Sequence, residues 1–137
     1  MTIKFIKNYN TNVLGWEECL LNFNDSVLKK EEIKIKPFGF YVSHSAHKIE
    51  RLKPILDDLK LSIAHLYINI SAQTENFGPH RDPDDVYFWQ CQGITRWTIE
   101  NSETYMLEPG DLIIVPKYVL HNVQALTPRI GISMSEK

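Results

Sequence analysis

Cysteine is scarce in this sequence, with only Cys19 and Cys91 among 137 residues. That excludes a small fold stapled by a disulfide framework. The N-terminus, Met1-Thr-Ile-Lys-Phe-Ile-Lys, has neither the apolar centre nor the cleavage site of a secretory signal. Both thiols are therefore expected to be free, in a reducing and cytoplasmic setting. Long apolar runs are missing too, and none approaches the roughly 20 residues that a membrane-spanning helix needs. Nor is one sign of charge in excess. Fifteen Lys and Arg against 17 Asp and Glu give a formal charge of -2, without a long basic or acidic block. Composition thus gives no sign of a nucleic-acid partner or a membrane partner. Repeats, linkers and low-complexity tracts are absent. What remains is one domain of ordinary composition, long enough to bury one sizeable core.

Periodicity divides the chain in two. Residues 2–7 alternate apolar and polar and read as a short strand. Asn12 is placed to cap a helix running to about Lys30, with Val13, Trp16, Leu20, Phe23 and Leu28 at helical spacing. Alternation returns from Ile33 to Val42, where Pro37 suggests an edge strand or a bulge. Ala46 to Leu61 puts Ile49, Leu52, Ile55, Leu56 and Leu59 on one helical face. Pro54 lies inside that pattern, so the helix is either kinked or begins again there. From Ser62 the period becomes two and stays so. Strands are expected at Ile63–Ile70, Val86–Gln92, Thr95–Glu100, Thr104–Leu107, Leu112–Val115, His121–Ala125 and Arg129–Met134. Short strands at regular spacing, with turn signals at Gly93, Pro109-Gly110 and Thr127-Pro128, indicate a β-sandwich or barrel. The expected organisation is a single domain over 1–137, with a helical and strand portion over 1–61 and a β core over 62–137.

Three residues in the β half carry chemistry. His80 and Asp82 stand two apart, and in extended backbone such residues point to one face. An imidazole and a carboxylate there suit two adjacent positions of one metal ion, and His121 offers a third ligand. Two histidines and a carboxylate with positions left open form the facial triad of non-haem Fe(II) oxygenases. Each has a plainer reading alone: a hydrogen-bonded structural histidine, or a turn Asp after Gly78-Pro79. The strand Ile63–Ile70 has an apolar face (Ala64, Leu66, Ile68, Ile70) and a polar one (His65, Tyr67, Asn69). That polar face is either exposed or turned toward a cavity, where Tyr67 and Asn69 could bind a co-substrate or substrate. Trp89 and Trp97 are expected in the core, and His44 and His47 in solvent.

The surroundings of these residues add a resemblance. Gly110, five residues, Pro116, then His121 five positions later resembles the second motif of the cupin superfamily, with Tyr118 where a Gly is usual. His80-Arg-Asp82, followed by Asp85-Val86-Tyr87, Gln90, Gly93 and Arg96-Trp97, resembles the jumonji-type cupins, particularly their ribosomal-protein hydroxylase branch. The likeness covers about residues 62–134. It implies a mostly β fold, the double-stranded β-helix or jelly roll of the cupins, with the N-terminal helices packed on it. It also implies that His80, Asp82 and His121 bind Fe(II) and serve catalysis. Enzymes of this kind couple decarboxylation of 2-oxoglutarate to succinate with hydroxylation of a C–H bond.

One position breaks the pattern. The family usually has a Lys or Arg fifteen residues after the first His, paired with the distal carboxylate of 2-oxoglutarate; here it is Thr95. A hydroxyl can hydrogen-bond a carboxylate but cannot neutralise it. Arg96 should point to the opposite face of its strand. Arg129, eight residues after His121, keeps the facing of that histidine and can grip a carboxylate bidentately. The expectation is an Fe(II)- and 2-oxoglutarate-dependent dioxygenase, a hydroxylase acting on a small molecule or peptide, with Arg129, Thr95, Tyr67 and Asn69 toward the co-substrate. Two rivals stand beside it. One is a metal-dependent cupin that does not use 2-oxoglutarate, such as a small-molecule dioxygenase or isomerase; the other is a non-catalytic metal- or ligand-binding cupin. The resemblance also allows a homodimer through edge strands.

Overall fold

Alternation of period two builds most of this protein. In a computed structural model that describes residues 2–31, 33–36, 39–72, 77–100 and 103–136, ten strands form two antiparallel sheets. They are β1 (Lys4–Ile6), β2 (Ile33–Lys36), β3 (Phe40–Ser43), β4 (Ile63–Asn69), β5 (Val86–Gln92), β6 (Thr95–Ile99), β7 (Glu103–Leu107), β8 (Leu112–Val115), β9 (His121–Ala125) and β10 (Arg129–Ser135). The larger sheet runs β1-β8-β5-β10-β4-β3-β2 and the smaller β7-β6-β9. The helices are α1 (Trp16–Leu28) and α2 (Lys53–Leu59). Two sheets face to face with helices on one outer side make the mostly β, cupin-like architecture.

The larger sheet is buried on both faces, and so its strands lose the clean apolar-polar alternation. Ala64, Leu66, Ile68, Ile130, Ile132 and Met134 join Leu14, Cys19, Leu52, Ile55 and Leu56 in a core under the helices. On the other side Phe88, Ile113 and Val115 meet Trp97, Ile99 and Leu107 of the smaller sheet. β8, Leu-Ile-Ile-Val, contributes to both cores and is buried at every position. That is why it reads as an unbroken apolar run. Expectation and structure agree closely from β4 to β10.

The first 61 residues are woven into the same sheet. β1 pairs with β8, and β2 and β3 extend the far edge beyond β4. The buried Asp111 carboxylate ties the N-terminal strand down, accepting from the N–H groups of Asn8 and Glu108 and from Lys7 Nζ at 2.9–3.1 Å. α1 starts at Gly15 rather than Asn12. Asn12 is taken by Arg51, whose Nη2 donates to its Oδ1 at 2.9 Å, while the Glu18 side chain accepts from the Gly15 N–H. The alternation from Ile33 to Val42 is an antiparallel hairpin, β2 against β3, with Ile33 opposite Ser43. Pro37 lies outside the described residues. The expected helix from Ala46 is two single 3-10 turns, Ala46–Lys48 and Glu50–Leu52, before α2 begins afresh with Pro54 in its first turn. Ile70 lies past the end of β4 and is exposed, so it is not part of the apolar face. His44 is not solvated as expected: it is half-buried, with Nδ1 2.9 Å from His65 Nδ1. His47 is exposed. Trp89 lies in the helix-side core and Trp97 in the inter-sheet core. Cys19 and Cys91 are free and buried, and burial pushes the Cys19 thiol up to about 12.

Candidate metal centre

His80, Asp82 and His121 meet at the mouth between the two sheets. The three are joined first by backbone. His80 N–H donates to His121 C=O at 2.9 Å and His121 N–H donates to His80 C=O at 3.0 Å, an isolated antiparallel bridge. Asp82 C=O accepts from Tyr118 N–H at 2.8 Å. Tyr118 has φ +65°, the left-handed conformation that explains why a glycine is usual there. Gly110, φ +102°, makes the turn before β8, as its motif position requires.

The side chains then converge. Asp82 Oδ2 lies 3.2 Å from His121 Nε2 and 3.5 Å from His80 Nε2. One ligand atom from each residue falls within 4.8 Å of the others. Both rings turn the same nitrogen inward, because Nδ1 of His80 donates to Gly78 C=O at 2.7 Å and Nδ1 of His121 to Val119 C=O at 3.0 Å. Those bonds assign the tautomer and leave Nε2 as the lone-pair nitrogen. Two such nitrogens and a carboxylate oxygen facing one another repel unless a cation lies between them. In the metal-free protein a proton takes that role. The Asp82 carboxylate holds the His80 imidazole above its ordinary pKa, and the two histidines hold Asp82 well below the usual carboxylate range. The donor set, two neutral imidazoles and one carboxylate, fits a ferrous ion with positions left for other ligands.

A cavity extends from this centre between the sheets. Its wall includes Tyr67, Phe77, Phe88, Trp97 and Arg129. Arg129 is 1% exposed. Its Nε donates to Asn69 Oδ1, directly opposite in the β10–β4 register, while Nη1 is buried with no hydrogen-bond partner. Phe40, Tyr67 and Phe88 surround the guanidinium, with ring centroids 5.5–5.9 Å from Cζ. No carboxylate among the described residues pairs with it, and burial pulls its pKa down to about 10.

The residues expected near a co-substrate therefore separate. Arg129 and Tyr67 line the cavity beside the three ligands, so the polar face of β4 turns inward. Asn69 stands behind Arg129 and orients it. Thr95 does not line the cavity. Its hydroxyl donates to Gln90 Oε1 at 3.1 Å and accepts from Trp97 Nε1 at 3.2 Å. Arg96 points outward as expected, to Gln124. Sequence reasoning missed the aromatic walls: Phe40, Phe77 and Phe88 carry no motif, although Phe88 could be placed inward by its register with His80-side strands.

Comparisons with known proteins bear on this arrangement. The JmjC domain model matches residues 42–106, a span that holds His80, Asp82 and Thr95 but ends before His121 and Arg129. No curated protein matches the sequence. Among solved structures, YcfD, a ribosomal oxygenase from Escherichia coli, in complex with cobalt and 2-oxoglutarate, superposes with TM-score 0.74 at 16% identity over 96% of this chain. The same protein with cobalt and succinic acid gives 0.76 over 97% at 16% identity. This chain spans 47% of each of those structures, about half their length. KdgF from Halomonas sp. is similar over 80% of this chain and 91% of its own, with TM-score 0.56 and 21% identity. The chain has the cupin fold and carries the JmjC-domain pattern over residues 42–106.

Proposed function

We propose that this chain is an Fe(II)- and 2-oxoglutarate-dependent oxygenase, a hydroxylase of a small-molecule or peptide substrate. The observation that carries the reading is Arg129, a buried cation in the wall of the cavity that holds the triad, with one guanidinium nitrogen unsatisfied. A buried charge without a counter-ion is costly, and a ligand carboxylate would supply one. When bound, the ferrous centre and the oxo acid supply the oxygen activation that yields succinate, CO₂ and a hydroxylated product from 2-oxoglutarate, O₂ and a C–H bond.

The chain's residues do the rest. His80, Asp82 and His121 hold the metal from one side and leave the cavity side open. Arg129, aimed by Asn69, grips the distal carboxylate of the oxo acid, and Tyr67 packs beside it. Phe40, Phe77 and Phe88 exclude water, which strengthens the Arg–carboxylate attraction. The cation that the family usually carries on the strand of Thr95 is thus supplied from β10. The binding of 2-oxoglutarate by YcfD, a protein of the same fold, supports this reading by analogy.

The test is succinate formation from 2-oxoglutarate with Fe(II) and O₂, measured alongside calorimetric binding of 2-oxoglutarate to the Mn(II)-loaded protein. Arg129→Met should weaken 2-oxoglutarate about 100-fold, the loss of two charge-assisted hydrogen bonds of roughly 1.5 kcal/mol each. Metal affinity should not change. Metal binding without any affinity for 2-oxoglutarate would sink the co-substrate assignment and leave a metal-dependent cupin of other chemistry.

A further inference from the structure

Thr95, where the family's cation would stand, has lost that role and gained another. We infer that Gln90, Thr95 and Trp97 form a buried relay that positions the metal ligand His121; the inference rests on the reading of His121 as a ligand.

The relay has one direction throughout. Gln90 is fully buried, and its Nε2 donates to the carbonyls of Gln92 and Gly93, both at 2.9 Å. Those two acceptors fix the amide, so Oε1 must face the Thr95 hydroxyl. Thr95, also fully buried, donates to that oxygen at 3.1 Å. With its proton committed, the Thr95 oxygen accepts, and the Trp97 Nε1–H donates to it at 3.2 Å. The indole is thereby held in one orientation, nearly parallel to the His121 ring, 15° between planes and 5.7 Å between centroids. Phe88 packs against Trp97 at 4.9 Å. His121 is 3% exposed and its own Nδ1 is tied to Val119 C=O, so one face of the ring and one edge are fixed. What remains free is Nε2, aimed at Asp82.

The sheet explains why this reaches the metal centre and not merely the core. Thr95, Trp97 and Ile99 project inward from β6, and their partners on β9 are Ala125, Val123 and His121. Trp97 is therefore a diagonal neighbour of the ligand on the adjacent strand. A ring free to tilt by one rotamer would move Nε2 out of line, and supporting groups of this kind govern affinity through ligand orientation. A lysine at position 95 would leave the Trp97 N–H without its acceptor. Thr95 is a positioning residue, not a carboxylate-binding one.

The experiment compares Thr95→Val, which keeps shape and removes the hydroxyl, with Thr95→Ser, which restores it. Co(II) affinity and the Co(II) visible spectrum are measured by titration, and 2-oxoglutarate affinity at saturating metal. In the metal-free protein, Trp97 indole N–H exchange and the His121 ring signals are followed by NMR. Thr95→Val should lower Co(II) affinity about 10-fold, alter the spectrum, speed Trp97 exchange and shift the His121 ring; Thr95→Ser should return all four toward wild type. Unchanged His121 signals and Co(II) spectrum in Thr95→Val would overturn the relay, leaving Thr95 a packing residue. Weaker 2-oxoglutarate with unchanged Co(II) binding would overturn it in favour of direct co-substrate contact. Failure of the metal reading is distinct: wild type would bind no Co(II), whatever the His121 signals do, and a ligand-positioning role would fall with it.

Discussion

Asp82 is held between two imidazole nitrogens, and its charge has two separable effects. It attracts a metal, and it favours a proton on His80 when no metal is present. Asp82→Asn keeps size and hydrogen bonding but removes the charge. An amide N–H₂ can donate to the inward Nε2 atoms, so the fold should survive with its melting temperature close to wild type. Metal affinity should fall by more than about 100-fold, beyond the 10–100-fold typical of losing a supporting group. Calorimetric titration with Co(II) checks this, and near-wild-type affinity would remove Asp82 from the ligand set. Arg129→Met separates function from stability in the same way. Taking out a buried unpaired cation is favourable, while leaving Asn69 Oδ1 without a donor costs roughly 1–3 kcal/mol. The two effects oppose, so urea denaturation should place the variant within about 2 kcal/mol of wild type even as 2-oxoglutarate affinity collapses. A much larger loss of stability would mean that Arg129 holds the fold together and would weaken its assignment to a ligand.

Turns carry the elements into register, and one is tight enough to predict. Gly93 joins β5 to β6 with φ +74°, and a Cβ there would lie 1.9 Å from Pro128 C=O. Gly93→Ala combines left-handed strain with a backbone clash and should cost roughly 2–4 kcal/mol. It should also disturb the Gln90 amide, which binds the Gly93 carbonyl. Denaturant titration reads the first effect and Trp97 exchange the second; a loss under 1 kcal/mol would mean that the β5–β6 turn yields easily. This scale also shows what the sequence made legible. β4 to β10 could be read almost to the residue, because period two and the turn glycines are local signals. The ligand triad was legible for the same reason, since i, i+2 facing and two motifs place His80, Asp82 and His121. The N-terminal part was less so. The start of α1 depends on Arg51 capturing Asn12 from 39 residues away, and no local rule foresees that. The hairpin of β2 and β3 keeps its alternation on both sides of the turn, and so it reads as one strand. The facing of Thr95 was readable, but its commitment to Gln90 and Trp97 depends on side-chain partners within the folded core.

Across the whole molecule, the metal centre links sheet to sheet, so binding there should appear as global stability. His80 precedes β5 of the larger sheet, and His121 opens β9 of the smaller one. A ligand at 100 times its dissociation constant adds about 2.7 kcal/mol to the folded state. For a chain of this length that is roughly 8 °C in melting temperature. The pH dependence has a defined sign. His80 has a folded pKa above its ordinary 6.5, so its contribution in the metal-free protein is full below 6.5 and is lost as pH rises through the raised value. Asp82 has a folded pKa below its ordinary 3.8, so its contribution is full above 3.8 and is lost as pH falls through the lowered value. The site therefore stabilises the metal-free fold most between about pH 4 and 6.5. Metal acts in the opposite direction, because it competes with the proton for His80 Nε2. The increment from Co(II) should be small near pH 5.5 and should grow through pH 8. Melting curves with and without Co(II) give the increment, and subtracting the same curves for Asp82→Asn removes groups elsewhere in the protein. A Co(II) increment that stayed constant from pH 5.5 to 8 would show that metal binding displaces no proton, and with it would go the paired His80–Asp82 description of the empty-handed site.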